Sequence, residues 1–152
     1  MKISDYLEEK FCIMELKART KEDAIKELAS LLASSAKVKN VKQFMYDILG
    51  RENLGSTGIG HGLAIPHSRT GTVDDFVIAF GRSASGIDFK ALDGQVVHLI
   101  FLMGASTGEL NLYLRLLAEL SKCLMKDSFR QELLNAKDSK EIIEAFRKSE
   151  VG

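Results

Sequence analysis

A histidine, an arginine and a run of glycines lie close together in one stretch of this chain, and their chemistry suits the handling of a phosphoryl group. The stretch reads Gly55-Ser56-Thr57-Gly58-Ile59-Gly60-His61-Gly62-Leu63-Ala64-Ile65-Pro66-His67-Ser68-Arg69. Pro66, the only proline in the chain, fixes its own φ and keeps Ile65 out of the helical region, so His67 leaves the segment in a defined direction. Neutral imidazole, with an ordinary pKa of about 6.5, is unprotonated and nucleophilic at cytoplasmic pH without a separate base. Phosphoryl transfer then demands positive charge and donors for the equatorial oxygens, because positioning and electrostatics dominate it. Arg51, just upstream, offers a planar fork of donors, and Ser56 and Thr57 offer hydroxyls. Gly58, Gly60 and Gly62 stand at alternate positions, where glycine lets backbone N–H groups point into an anion-binding concavity.

Other readings of these residues stand beside this one. A G-x-G-x-G spacing lacks both the dinucleotide fingerprint and the lysine ending of a P-loop, so no nucleotide cofactor is expected. His61 and His67 make a pair without a third ligand at suitable spacing, so no metal is expected either, and a metal hydrolase is an outside reading. His98 alternates with apolar residues and reads as structural. On residue chemistry alone, His67 also fits a helix cap or a satisfied core histidine, Arg51 a solvated helix-end charge, and the glycine run a plain loop.

The elements that must position this stretch follow from periodicity. Residues 10–16 read as a strand, and Thr20 starts a helix with Asp23 at the capping-box position. Ala24, Ile25, Leu28, Leu31 and Leu32 give that helix one apolar face. A second helix is expected over 41–52, capped by Asn40, with Phe44, Met45, Ile48 and Leu49 inward. Residues 76–80 and 96–103 are β-rich apolar runs, the second continuous enough to be a central strand buried on both faces. From Glu109 a helix carries Tyr113, Leu116, Leu117, Leu120 and Leu124 on one stripe, and helices over 129–136 and 141–148 follow, the last capped by Asp138. Helices at both ends with strands between them predict a single mixed β-sheet flanked by helices on both sides, in the α/β or α+β class.

Composition sets the limits. A chain of 152 residues suits one domain, expected over 1–152, and 45% hydrophobic with 28% charged residues is an ordinary globular balance. Lysine plus arginine and aspartate plus glutamate each total 21, leaving no net charge to attract nucleic acid or an anionic membrane. No apolar run is long enough to span a bilayer, and the acids among residues 1–10 are unlike a signal peptide, so a cytoplasmic location is expected. Cys12 and Cys123 have no partner motif and apolar neighbours, and are read as buried free thiols.

Arg51-Glu52, Ser56-Thr57-Gly58-Ile59-Gly60-x-Gly62 and Ala64-Ile65-Pro66-His67, with Gly86-Ile87-Asp88-Phe89 and Asp93-Gly94 further on, resemble the signature of a known family. It is the enzyme IIA domains of the fructose, mannitol and nitrogen-regulatory group, part of the bacterial phosphoenolpyruvate-dependent sugar phosphotransferase system, and the resemblance spans essentially the whole chain. It implies a mixed sheet flanked by helices and a phosphocarrier whose His67 is phosphorylated on Nε2 by the histidine-containing phosphocarrier protein HPr. Arg51 becomes the phosphate-holding arginine, and no metal or organic cofactor is implied. The phosphoryl group then passes to an enzyme IIB during uptake of a fructose-like or mannitol-like sugar, or the phosphorylated state is read by a regulatory protein. A chain without IIB or IIC segments suits both roles. One position departs from the pattern: the family commonly starts the helix after the central strand with His-Leu, and here the pair is Tyr113-Leu114. A tyrosine hydroxyl can bond a phosphoryl oxygen but carries no positive charge, which leans the reading towards regulation.

Overall fold

The computed structural model describes residues 2–151. Among them, one sheet contains β1 (Cys12–Ile13), β2 (Gly58–Gly60), β3 (Leu63–Ala64), β4 (His67–Arg69), β5 (Phe76–Ile87) and β6 (Val97–Ala105). The helices are α1 (Lys21–Leu31), α2 (Val41–Leu54), α3 (Leu110–Leu124), α4 (Asp127–Asn135) and α5 (Ser139–Val151). The strands run in the order β1-β5-β6-β3-β2, and β4 pairs with β6 beyond β3. Only β5·β6 and β2·β3 are antiparallel, so the sheet is mixed as expected.

β6 is the centre because its apolar run serves two cores at once. Leu99, Phe101 and Met103 point into the core beneath α3, α4 and α5, whereas Ile100 and Leu102 point into the one beneath α1 and α2. That is the period-2 split of a strand buried on both faces. Three helices have a local reason to start. The Thr20 hydroxyl accepts from Asp23 N–H at 3.2 Å, Asn40 Oδ1 from Gln43 N–H at 3.1 Å, and Asp138 Oδ1 from Glu141 N–H at 2.9 Å.

Two elements differ from the sequence-based expectation. The strand expected over 10–16 is ordered as β only at Cys12–Ile13, preceded by a 3-10 turn at Glu9–Phe11. Beyond it the pairing with β5 continues as one backbone bond, Leu16 N–H to the Arg82 carbonyl at 2.8 Å, flanked by side-chain bonds: Arg82 Nε donates to the Met14 carbonyl at 3.1 Å, and the Glu15 carboxylate accepts from Ala84 N–H at 3.3 Å. β5 runs on to Ile87, past the expected end at 80. Gly81 has no room for a side chain beside Leu16, and Arg82 turns its polar head onto the carbonyls of Leu133 and Ala136, so the apolar run breaks while the strand continues.

Gly104 sets how closely α2 approaches the sheet. A Cβ there would clash with the Phe44 ring, so its absence lets α2 lie directly on β6 at the register where Gly104 pairs with Ser68 of β4. Helix α2 therefore passes over the strand that carries His67.

Candidate functional site

His67 opens β4, opposite Met103 of β6, and is half-buried. Its ring Nδ1 lies 2.7 Å from the Ile65 carbonyl. A carbonyl can only accept, so Nδ1 carries a proton, and in the neutral ring Nε2 is the nitrogen with the lone pair. Pro66 makes this arrangement possible by interrupting the strand between Ala64 and His67, as its fixed φ and missing N–H require.

A chain of hydrogen bonds runs from α2 to that ring. Glu52 is only 3% exposed; its carboxylate accepts the Thr57 hydroxyl at 2.6 Å and the Thr57 N–H at 2.9 Å, and pairs with the Lys21 ammonium at 3.3 Å. Ile65 N–H donates to the Thr57 carbonyl at 3.1 Å, and the Ile65 carbonyl then holds the imidazole. In the sequence Glu52 is part of the signature without a task. Its task is to anchor the loop from beneath, as a buried carboxylate must find donors.

Arg51 projects from the last turn of α2, where Nη1 donates to the Gly55 carbonyl at 3.0 Å. One turn earlier, Asp47 accepts from the Thr70 hydroxyl at 2.7 Å, just past β4. Asp47 and Arg51 are four residues apart and so share a face of the helix. That face is the one against β4.

Tyr113 comes from the first turns of α3, and its ring centroid lies 5.8 Å from that of His67. The pair expected from Tyr113-Leu114 is therefore a pair in space. Burial pushes the Tyr113 phenol up from its ordinary value of 10.0, while the Arg51 and Arg69 guanidiniums pull the other way. The hydroxyl is thus neutral at physiological pH, a donor within reach of two cations. Arg69, two residues after His67 on β4, belongs to the same sequence stretch but has no role on residue type alone. Alternation along a strand is the signal that marks it, and the stretch reads as a loop.

Other expectations change. Ser56 and Thr57 do not aim hydroxyls at His67: the Ser56 hydroxyl donates to the Phe89 carbonyl and the Thr57 hydroxyl to Glu52. Both shape the loop. The glycine run makes no anion nest either. Gly58–Gly60 is strand β2, and His61 (φ 57°) with Gly62 (φ 75°) turns the hairpin into β3. Gly58 is required because a Cβ would press within 2.8 Å of Ala91. The Gly62 carbonyl accepts from His98 N–H and Leu99 N–H. His67 is registered with Met103, some five residues further along β6 and so roughly 16 Å from this turn. His61, exposed at the turn, is apart from His67 by the same register. His98 is held through Nδ1 by the Ser83 carbonyl at 2.9 Å, as a structural residue would be.

Residues 5–149 match the family described as phosphoenolpyruvate-dependent sugar phosphotransferase system, EIIA 2. The chain belongs to that family. EIIA proteins are phosphotransfer components, and this EIIA chain is similar to two curated relatives that differ in their extent. It is 39% identical over 144 residues to the PTS system fructose-specific EIIABC component of Bacillus subtilis, a match that covers 95% of this chain and 23% of that protein. It is 39% identical over 127 residues to the PTS system fructose-specific EIIA component of Haloferax volcanii, covering 82% of this chain and 80% of that one. Among solved structures, the nitrogen regulatory protein IIA-Ntr of Neisseria meningitidis superposes with a TM-score of 0.87 at 28% identity, covering 95% of this chain and 98% of that one. None of the helices formed by the described residues of this EIIA is long and apolar enough to cross a membrane.

Proposed function

We infer that this EIIA carries a phosphoryl group on His67 Nε2, received from HPr in the cytoplasm and passed to an enzyme IIB that serves a fructose-like or mannitol-like sugar. The observation that carries the reading is the Nδ1 bond to Ile65, which leaves Nε2 as the free nucleophilic atom beside Arg51 and Tyr113. The fructose-specific relatives support the sugar class, and the EIIABC relative supports a IIB acceptor.

The chemistry balances without a cofactor. The Nε2 lone pair forms a new P–N bond as the P–N bond in the phosphorylated donor breaks, and the donor imidazole leaves with the electron pair. His67 keeps its Nδ1 proton throughout. The phosphorylated ring is then cationic, and the Ile65 carbonyl stabilises that charge. Arg51 has spent one donor on Gly55 and has the rest of its fork for phosphoryl oxygens. The buried Tyr113 phenol adds a neutral donor. Ser56 and Thr57 contribute by holding the loop, through Phe89 and Glu52.

A second reading, a nitrogen-regulatory switch whose phosphorylation state is read by a regulatory protein, is favoured by Tyr113 where the family commonly has histidine, and by the likeness to IIA-Ntr. A phosphoryl dianion at His67 would change the charge of the surface presented to a partner.

The test is incubation with phosphoenolpyruvate, enzyme I and HPr. Wild type is expected to take up an acid-labile, alkali-stable phosphate and His67→Ala none. Label that persists in His67→Ala overturns the assignment. Discharge of the labelled protein to a IIB, against binding of a regulatory partner that depends on the label, separates the two readings.

A further inference from the structure

β4 pairs in register His67 with Met103, Ser68 with Gly104 and Arg69 with Ala105. Side chains alternate along a strand, so His67 and Arg69 leave the same face, with α-carbons roughly 6.6 Å apart, and Ser68 leaves the other. An extended arginine spans that separation, which puts its guanidinium within reach of a group bonded to His67 Nε2.

Arg69 is also uncommitted. It is exposed, and its guanidinium makes no hydrogen bond or ion pair among the described residues. Other arginines near the core are occupied: Arg82 donates to the carbonyls of Met14, Leu133, Leu134 and Ala136, and Arg130 to the Leu124 carbonyl and Asp127. Asp47, the carboxylate at the neighbouring Thr70, is already bonded to Thr70 and Gln43. The field of Arg69 reaches the Tyr113 phenol, which itself stands against His67. An unpaired guanidinium, a free imidazole nitrogen and a phenol donor therefore converge from β4 and α3.

We propose that Arg69 binds the phosphoryl group on His67 as a second guanidinium, opposite Arg51, and supplies the positive charge that tyrosine at position 113 cannot. This rests on His67 being the phosphoryl acceptor. Two forks from different elements, α2 and β4, then hold a dianion that one guanidinium would leave half-neutralised. Arg69 compensates for the departure at Tyr113.

The experiment measures phosphoryl uptake from HPr and discharge to a IIB for wild type, Arg69→Ala, Arg69→Lys, Tyr113→His and the double variant Arg69→Ala/Tyr113→His. Lys140→Ala, on the exposed start of α5, controls for the loss of one positive charge. Arg69→Ala is expected to slow uptake about tenfold or more, the usual cost of one charge-assisted contact to a transition state. Arg69→Lys should recover part of the rate, since it keeps charge without the fork, and the double variant should recover more than Arg69→Ala alone. Lys140→Ala should match wild type. Wild type labelled on His67 with Arg69→Ala equally fast in both directions overturns the proposal, as does equal slowing by Lys140→Ala. Absence of His67 labelling in wild type would instead overturn the phosphocarrier reading on which it rests.

Discussion

His67 and His98 stand at opposite ends of the β6 register and are held alike, each with Nδ1 on a backbone carbonyl, Ile65 at 2.7 Å and Ser83 at 2.9 Å. In the neutral ring, each bond makes Nε2 the nitrogen that carries the lone pair. Their surroundings differ. Against the His67 ring stands the Tyr113 phenol, which the charges of Arg51, with one donor spent, and Arg69, with none spent among the described residues, both reach. His98 borders a cavity of about 380 Å³ shared with Glu15, Arg82 and Leu134. The guanidinium there is committed to four carbonyls, and the nearby carboxylate repels anions. Ring geometry makes a nucleophile of either histidine. Unspent cationic donors favour only His67 for the proposed phosphoryl site.

The largest test of this contrast, after loss of His67 itself, is Arg51→Ala. Removing one donor from a developing charge costs about 3 kcal/mol, so phosphoryl uptake should fall roughly a hundredfold while the circular dichroism spectrum is unchanged. Uptake at the wild-type rate would make Arg51 only the helix-end charge that caps Gly55.

Tyr113 should matter less. Tyr113→Phe deletes one neutral donor and should slow discharge to a IIB about tenfold, whereas Tyr113→His should quicken it by restoring a group able to carry charge. The sign of the pH dependence follows from the raised phenol: below about pH 10 the hydroxyl stays protonated, so the gap between wild type and Tyr113→Phe should hold constant from neutrality upwards and change only beyond that point. Equal discharge by all three proteins would make Tyr113 a core aromatic.

At the other end of β6, His98→Ala should leave uptake at the wild-type rate and lower stability by about 1 kcal/mol in urea unfolding, the usual net worth of one hydrogen bond. A slow phosphorylation surviving in His67→Ala but lost when His98 is also replaced would break the contrast outright.

Cys12 extends the comparison to another nucleophile. Burial, helped by Glu9, pushes its thiol up to about 12 and disfavours the thiolate. In folded protein it should therefore resist a thiol-specific disulfide reagent at pH 8, and react once urea exposes it. Cys12 is half-buried where its apolar neighbours predict full burial, whereas Cys123 is buried. Cys12 is silenced chiefly by burial of its sulfur, with Glu9 adding to it, although the residue as a whole is only half-buried.

The sheet, its flanking helices and three of the helix starts were legible because they rest on local signals: Thr20, Asn40 and Asp138 cap their helices, and the apolar run of β6 has the composition of a doubly covered strand. β1 and the far half of β5 were less legible, since their pairing is short and mixes one backbone bond with side-chain bonds from Glu15 and Arg82 to partners distant in sequence. Within the site, His67 and Arg51 were visible from residue type and Tyr113 from the family pattern. The alternate glycines misled because G-x-G-x-G is equally the spelling of a short strand and a tight turn, and only packing against Ala91 decides between them. The hydroxyls of Ser56 and Thr57 were assigned by proximity in sequence, while their partners Phe89 and Glu52 depend on the fold. Arg69 stayed hidden because its glycine-rich surroundings spell a loop, where side-chain alternation carries no meaning.

If His67 carries the phosphoryl group as proposed, its bond to Ile65 also sets a lifetime. A phosphoimidazole that keeps its second proton has a weak P–N bond, and a half-buried ring leaves that bond open to water as well as to a partner protein. Hydrolysis then competes with transfer at every moment after loading. In a relay the loss is small, because a IIB collects the group soon after it arrives. In a regulatory role the same carbonyl would act as a clock: the charged state would decay by itself once the supply of phosphoenolpyruvate failed, and the protein would report recent metabolic flux rather than a stored memory of it.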